Sequence, residues 1–131
     1  MFEKLDPEAT IPFRATTCSA GYDLASTVDA DIEPNTTIVI PTGVSVSFDK
    51  HMYGQILGRS SLAVKGITVL GGVIDADYTG EIQVILNNLG TKTYKLVKGQ
   101  RIAQMVLNAY YTACDTGDVE TLRQGGFGST D

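Results

Sequence analysis

One short segment of the sequence places a cationic side chain directly before two hydroxyls. Arg59 is followed by Ser60 and Ser61 within the stretch 58–63. A guanidinium forms charge-assisted hydrogen bonds with anions, and a helix beginning here would add backbone N–H groups. The same residues also fit an ordinary helix N-cap with an exposed arginine. Alone, the segment therefore supports an anion cradle and a simple cap equally.

A second segment, 71–82, carries two carboxylates and an aromatic ring between glycines. It contains Asp75, Asp77 and Tyr78 and begins with a pair of glycines. Glycine lets the backbone approach a ligand closely, and a carboxylate can orient and deprotonate a water molecule. We expect a β-hairpin that holds a substrate. The alternative is a hairpin whose aspartates only make turn contacts.

Two further segments contain single polar residues in strand-like surroundings. Asp23 lies in the stretch 20–24, and Gln104 lies in the stretch 99–105. Taken one at a time, each segment is most simply a turn next to a strand. Whether Asp23 and Gln104 have a functional role therefore depends on the other segments.

The end of the chain combines glycines with an aromatic ring, an arginine and hydroxyls. Arg123, Phe127, Ser129 and Thr130 are spaced by glycines, without an apolar period. The ring can stack on a flat ligand, while the arginine and hydroxyls can reach phosphate. We expect residues 123–131 to form a flexible arm that closes over an active site. The alternative is a disordered tail.

The elements that must position these side chains are mostly short strands. Alternating and β-branched apolar runs are separated by turn residues, as in an all-β domain. The predicted strands are 37–40, 44–48, 53–57, 67–70, 82–86, 94–97 and 102–107. One helix of about two turns is predicted over 60–66, with a serine capping its start and Gly66 closing its end. This pattern indicates a jelly-roll or barrel over residues 1–122.

Length, charge and the chain start exclude several classes of function. The 131 residues suit one domain, and 10 basic against 15 acidic residues give a net charge of −5. An acidic chain without a basic run matches neither nucleic-acid nor membrane-surface binding. We recognise no signal peptide and no transmembrane stretch. We therefore expect a cytoplasmic protein, or one in the host cytoplasm or nucleus if the source is viral, with Cys18 and Cys114 reduced.

Five segments, taken in order, resemble the five ordered motifs of the trimeric dUTP pyrophosphatase (dUTPase) family. They read AGYDL, GRSSLA, GGVIDADYTGEI, GQRIAQM and RQGGFGST and extend from residue 20 to residue 130. The resemblance implies a small β jelly-roll of the β-clip type. It also implies hydrolysis of dUTP to dUMP and pyrophosphate with Mg²⁺, in a homotrimer with active sites between subunits. In that family the reaction limits uracil incorporation into DNA and supplies dUMP for dTMP synthesis.

Within the third motif, the resemblance assigns the chemistry to Asp75. Its carboxylate would activate a water molecule for in-line attack on the α-phosphorus. Tyr78 would lie against the deoxyribose and exclude a 2′-hydroxyl. The uracil edge would be read by the backbone of Gly72, Val73 and Ile74 and by that near Gln83.

The other motifs would hold the triphosphate and its metal. Arg59, Ser60 and Ser61 would contact the phosphates, and Gln104 would contact the α-phosphate. Asp23 would organise Mg²⁺ through water, because Mg²⁺ retains waters and would take most of its ligands from the phosphates. In the tail, the Phe127 ring would stack on uracil, and Arg123, Ser129 and Thr130 would hold the terminal phosphate. Gly128 is also expected to contact the substrate.

Two other functions remain open. A dCTP deaminase would share the fold and the arginine–serine motif, but its chemistry needs a glutamate on the strand after the third motif. Residues 82–88 read IQVILNN here, without an acid. The second alternative is a non-catalytic nucleotide-sensing interaction module, which would bind dUTP without turnover.

Overall fold

The computed structural model describes residues 1–113 and Gly126. The end of the predicted 1–122 domain and nearly all of the predicted arm 123–131 lie outside the described residues, as does Cys114. The predicted site residues that fall there are Arg123, Phe127, Gly128, Ser129 and Thr130.

Short strands supply almost all the regular structure in this part of the chain. They are β1 (Phe2–Lys4), β2 (Tyr22–Ala25), β3 (Ala30–Ile32), β4 (Thr37–Pro41), β5 (Val44–Val46), β6 (Met52–Leu57), β7 (Ile67–Leu70), β8 (Val73–Ile74), β9 (Gln83–Asn88), β10 (Tyr94–Leu96) and β11 (Arg101–Ala109). The one helix among the described residues, α1, spans Ser60–Ala63. The predicted all-β architecture with one short helix is confirmed. In the described ranges, no helix has the length and apolar character needed to cross a membrane.

The strands form two larger sheets and two short ladders. One sheet has the order β2-β11-β6-β8 and the other has the order β4-β9-β7, while β1 pairs with β5 and β3 with β10. Side chains alternate between the two faces of a strand, and strands such as β5 and β9 accordingly turn one face to the core. The largest fully buried side chains include Leu24, Ile32, Ile40, Ile67, Ile82, Leu86, Ile102 and Met105.

The longest strand, β11, carries a bulge that decides which side chains face outward. The register against β2 shifts between Arg101 and Ala103, so Ile102 is an extra residue. Ile102 and Ala103 are consecutive and both buried, which breaks the usual alternation. The extra residue therefore brings Arg101 to the same outer side as Gln104.

The start of α1 differs from the prediction. Its N-cap is Arg59, and no side chain caps the first turn, so the expected serine cap is wrong. The two serines lie inside the helix and are exposed, while Leu62 fastens the turn to the core with 4% of its surface exposed. The helix also ends earlier than predicted, and turn residues carry the chain to Gly66, whose φ is +85°.

Candidate active site

The first, second and fourth motifs meet on one face of the four-stranded sheet. Asp23 of β2 lies directly opposite Gln104 of β11, which lies opposite Leu57 at the end of β6. Directly opposed residues of antiparallel strands point to the same side. Because the second motif follows the end of β6, it begins beside this pair. We call Asp23, Arg59, Arg101 and Gln104 the arginine cluster.

Within the arginine cluster, both carboxylate oxygens of Asp23 face guanidinium groups. Oδ2 accepts a hydrogen bond from Arg101 Nη1 at 3.0 Å, and Oδ1 lies 3.6 Å from Arg59 Nε. Arg59 Nη1 also donates to the backbone carbonyl of Arg101 at 3.0 Å. The Asp23 side chain is 12% exposed, whereas those of Arg59 and Arg101 are 26% and 43% exposed. Two partly exposed cations against one covered anion form a surface that suits a phosphate.

Gln104 is held beside this surface by the backbone of the second motif. Its Nε2 donates to the carbonyl of Gly58 at 3.0 Å. The first motif makes room for it at Gly21, where a Cβ would lie 2.3 Å from Gln104 Oε1 and 2.9 Å from Gln104 Cβ. Any side chain at position 21 would therefore displace the amide.

Ser60 and Ser61 complete the predicted phosphate-binding set. They follow Arg59 directly on α1, and their side chains are exposed. Arg59 and these two hydroxyls thus come directly after Gly58, whose carbonyl accepts the hydrogen bond from the Gln104 side chain.

A metal ion would find few protein ligands here. Among the residues that the structure describes, no group of three or more histidine, cysteine or carboxylate side chains could hold one. The oxygens of Asp23 already face two arginines. These residues fit a metal that is bound mainly by substrate oxygens and reached by Asp23 through water.

The third motif forms the connection between β7 and β9, which we call the hairpin loop (residues 71–82). β7 and β9 pair antiparallel, with Leu70 opposite Ile85, so the predicted hairpin is confirmed. It is more than a turn, because β8 leaves this sheet and pairs with β6 of the other. β8 is the last strand in that sheet's order, so its outer backbone edge can pair with a ligand.

At the start of the hairpin loop, Gly72 lets the backbone cross β6 closely. Ile56 N donates to the Gly72 carbonyl at 2.7 Å. The φ of Gly72 is +109°, and a Cβ there would lie 2.7 Å from the Ile56 carbonyl oxygen, so only glycine fits. Val73 is 65% exposed, whereas the side chain of Ile74 is buried at 4%. A ligand contact at Ile74 would therefore be made by its backbone.

Deeper in the hairpin loop, Tyr78 is buried and forms hydrogen bonds through both its backbone N–H and its side-chain hydroxyl. Its N–H donates to the Asp75 carbonyl at 3.1 Å, and its hydroxyl donates to the Glu81 carbonyl. The ring is 8% exposed, while Asp75 is half-buried. Gln83, the last predicted base-reading position, follows the loop, and its Nε2 lies 3.4 Å from Glu81 Oε1.

Gly126, the described residue of the predicted arm, lies against this tyrosine. A Cβ on Gly126 would be 2.9 Å from Tyr78 Cε1. The backbone of the fifth motif therefore contacts the third motif at this point.

Asp75 and the arginine cluster are far apart within one chain. Asp75 comes one residue after Ile74, which pairs with Gly54, whereas Gln104 pairs with Leu57. This offset of about four residues corresponds to roughly 13 Å along β6, and the two strand spacings add roughly 10 Å across. One chain therefore does not bring the predicted catalytic carboxylate to the predicted α-phosphate contact.

Sequence reasoning missed Arg101 as a member of the site. It lies in the fourth motif, three residues before Gln104, and its guanidinium also lies 5.8 Å from the centre of the Phe13 ring. The available signal was the apolar pair at 102–103 between two polar residues. Such a pair in a strand indicates a bulge that turns both polar neighbours to one face.

Comparisons with known proteins match nearly the whole chain. The dUTPase family model matches residues 7–131. The deoxyuridine 5'-triphosphate nucleotidohydrolase of Avian adenovirus 8 is 42% identical over 99% of this chain and 83% of its own length. The enzyme of the same name from Paramecium bursaria Chlorella virus 1 is 42% identical over 99% of this chain and 96% of its own length.

Solved structures agree with these sequence matches. The EIAV dUTPase is 32% identical, with a TM-score of 0.74 over 91% of this chain and 100% of its own. A mutant dUTPase of Staphylococcus bacteriophage 80alpha is 25% identical, with a TM-score of 0.82 over 99% of this chain and 96% of its own. The predicted β jelly-roll and the resemblance of the five motifs are both confirmed. The chain belongs to the dUTPase family, a family of hydrolases.

Proposed function

We propose that this chain hydrolyses dUTP to dUMP and pyrophosphate. The observation that carries the proposal is the arginine cluster, in which three motifs distant in the sequence assemble a cationic surface on one sheet face. Such a surface suits a triphosphate. The viral relatives are named for this substrate, and the phage 80alpha enzyme was solved with dUpNHpp. The reaction would limit uracil incorporation into DNA and supply dUMP for dTMP synthesis.

In the proposed reaction, Asp75 acts as the general base. Its carboxylate takes a proton from a water molecule, whose oxygen attacks the α-phosphorus in line with the bridging oxygen to the β-phosphate. The bond to that bridging oxygen breaks, and pyrophosphate leaves. Arg59, Gln104 and the hydroxyls of α1 stabilise the charge that develops on the phosphate oxygens. The half-buried position of Asp75 supports this role.

The hairpin loop would select the base and the sugar. The outer edge of β8 and the backbone near Gln83 would pair with the uracil edge, as a neighbouring strand would. The buried ring of Tyr78 would lie against the deoxyribose and leave no room for a 2′-hydroxyl. Two hydrogen bonds of Tyr78 support this role: its N–H bond to the Asp75 carbonyl holds its backbone, and its hydroxyl bond to the Glu81 carbonyl holds the ring.

Mg²⁺ is the proposed cofactor. When bound, it would neutralise phosphate charge and orient the triphosphate. Asp23 would reach it through water, because its carboxylate oxygens already face Arg59 and Arg101. Replacing Asp23 would then disturb both arginines as well as the metal.

We propose that the active site forms between copies of this chain in a homotrimer. Asp75 and Gln104 must both reach the α-phosphate, and the strand register separates them within one chain. The arginine cluster of one subunit would meet the hairpin loop of another. The fifth motif would close over them, with Phe127 on the base and Arg123, Ser129 and Thr130 at the terminal phosphate. Gly128 would also contact the substrate.

An exposed apolar row supports the assembly. Val39, Ile85 and Leu70 lie directly opposite one another across β4, β9 and β7. Val39 and Leu70 are 46% and 44% exposed. Apolar side chains grouped on a sheet face suit contact with another subunit.

The experiment that tests the proposed function is product release across nucleotides. We expect pyrophosphate from dUTP with Mg²⁺, and far less from UTP, dTTP and dCTP. Ammonia release from dCTP would favour a deaminase, and tight dUTP binding without turnover would favour a sensing module. Either result would contradict the proposal.

A further inference from the structure

The hairpin loop is fastened to the body of the protein by the side chain of Glu81. This side chain reaches the turn between β4 and β5, where its Oε2 accepts a hydrogen bond from Gly43 N at 2.8 Å. Its Oε1 lies 3.4 Å from Gln83 Nε2. A carboxylate that accepts a backbone N–H forms a charge-assisted bond, stronger than one between neutral groups. Both oxygens of Glu81 therefore face donors of the protein itself.

Gly43 is a rigid point of attachment. Its φ is +70°, and a Cβ there would lie between 2.8 and 3.0 Å from side-chain atoms of Ala9, Asp6 and Thr27. Its carbonyl accepts the N–H groups of Leu5 and Asp6 at 2.7 and 3.2 Å. Because this peptide is buried and bonded on both sides, a group bonded to it has little freedom to move.

The backbone of the same glutamate receives the hydroxyl of Tyr78. The Tyr78 O–H donates to the Glu81 carbonyl oxygen. The next residue, Ile82, holds the strand independently, because its N–H donates to Val44 O at 2.8 Å and its carbonyl accepts Thr42 Oγ1 at 2.5 Å. The Glu81 carbonyl and the Ile82 N–H belong to one peptide, so the acceptor of the tyrosine hydroxyl is held at two points. Val44 holds it through the Ile82 N–H, and Gly43 holds it through the Glu81 carboxylate.

We propose that Glu81 is a positioning residue for Tyr78 and thereby sets the discrimination between deoxyribose and ribose. The inference rests on the proposed function, in which the Tyr78 ring excludes a 2′-hydroxyl. Without the Glu81–Gly43 bond, the peptide that accepts the Tyr78 hydroxyl keeps only its anchor at Val44. The loop before it is then less restrained, so the ring can shift outward and admit the larger sugar. Because Ile82 secures the strand by itself, loss of the carboxylate loosens the loop without unfolding the protein.

The test is the ratio of kcat/KM for dUTP to kcat/KM for UTP. In Glu81→Ala we expect this ratio to fall about tenfold. In Glu81→Gln it stays within about threefold of wild type, because the amide oxygen can still accept the Gly43 N–H. Glu33→Ala is the matched control, since Glu33 accepts a hydrogen bond from the Thr93 hydroxyl on an exposed loop. The control leaves the ratio unchanged.

Tyr78→Phe tests the hydrogen bond between the Tyr78 hydroxyl and the Glu81 carbonyl. It removes the bond to the Glu81 carbonyl and leaves the Glu81–Gly43 bond in place. We expect the ratio to fall in this variant too, and the double variant with Glu81→Ala to add little, because both changes release the same ring. This variant also serves if Glu81→Ala fails to fold.

Three results would overturn the inference. One is an unchanged ratio in Glu81→Ala together with a lower Tm, which would make Glu81 merely structural. Another is an equal fall in Glu81→Gln and Glu81→Ala, which would point to charge instead of position. The third is an unchanged ratio in Tyr78→Phe. Measuring the same ratio as Kd values for dUpNHpp and its ribose counterpart separates these results from a failure of the proposed hydrolysis.

Discussion

The arginine cluster and the hairpin loop are held in place by different kinds of contact. In the cluster, the central contacts are ion pairs between the side chains of Asp23 and two partly exposed arginines. In the loop, the contacts around the buried Tyr78 are hydrogen bonds with a backbone group on at least one side, as between Gly72 and Ile56. The first region offers movable charge, whereas the second offers a fixed shape.

This difference separates two tasks of the proposed site. Both guanidinium groups are partly exposed and end long, rotatable side chains, so they can rearrange around a triphosphate. The backbone of β8, which pairs with β6, cannot move without breaking several hydrogen bonds. We infer that the cluster handles charge and the loop handles selection.

The largest effect is expected at the carboxylate of the hairpin loop. Asp75→Asn should lower kcat by at least ~10²-fold with dUTP binding largely intact, because it removes the base and no major ligand contact. Steady-state kinetics and equilibrium binding of dUpNHpp measure the two effects. Asp77→Asn is the matched control within the same turn and should retain near-normal turnover. A larger fall in kcat for Asp77→Asn than for Asp75→Asn would assign the general base to Asp77 instead.

The next effect concerns the predicted arm. Ending the chain at Leu122 should lower kcat/KM by roughly 10²-fold, because a closure that excludes water and aligns the phosphates is lost. The sequence of 123–131 has no core-type apolar pattern, so Tm should change little. Thermal unfolding beside the activity assay separates the two outcomes. A large fall in Tm would make the segment structural, and unchanged activity would make it passive.

Smaller effects are expected when a glycine in or beside each region is replaced by alanine, and they should differ between the two regions. Gly72→Ala puts a Cβ 2.7 Å from the Ile56 carbonyl oxygen, where backbone must shift, so we expect a loss of about 3 kcal/mol of stability. Gly21→Ala puts a Cβ 2.3 Å from Gln104 Oε1 and 2.9 Å from Gln104 Cβ. The amide can swing away but the Cβ cannot, so we expect a loss of about 2 kcal/mol of stability and roughly tenfold in kcat. Urea unfolding and pyrophosphate release measure both. Equal stability losses would remove the contrast between a fixed loop and a movable cluster.

The longer strands were predictable from the sequence because their alternation is long enough to read. β9 alternates over six residues, and β11 has nine, with its alternation interrupted by the bulge at Ile102. β1, β3 and β8 have two or three residues each. Unlike the equally short β5 and β10, they do not lie within a longer strand-like run of the sequence. Their pairing depends on contacts between distant parts of the chain.

The candidate site was predictable motif by motif, but its internal contacts were not. The resemblance named Asp23, Arg59 and Gln104, which the structure brings together. Arg101 joins them only because of the bulge in β11. Glu81 gains its partner Gly43 from 38 positions away in the sequence. Contacts of that kind arise from the tertiary fold and leave no local pattern.

The central claim is that one active site takes its arginine cluster and its hairpin loop from different subunits. Arg59→Ala damages the cluster and leaves the loop, whereas Asp75→Asn does the reverse. Each variant alone should be nearly inactive. Co-expressed at equal amounts, they should form mixed trimers in which about a quarter of the sites combine an intact cluster with an intact loop. Recovery of pyrophosphate release to about that fraction of wild type is the predicted result. Activity no higher than the two variants measured separately would contradict the claim.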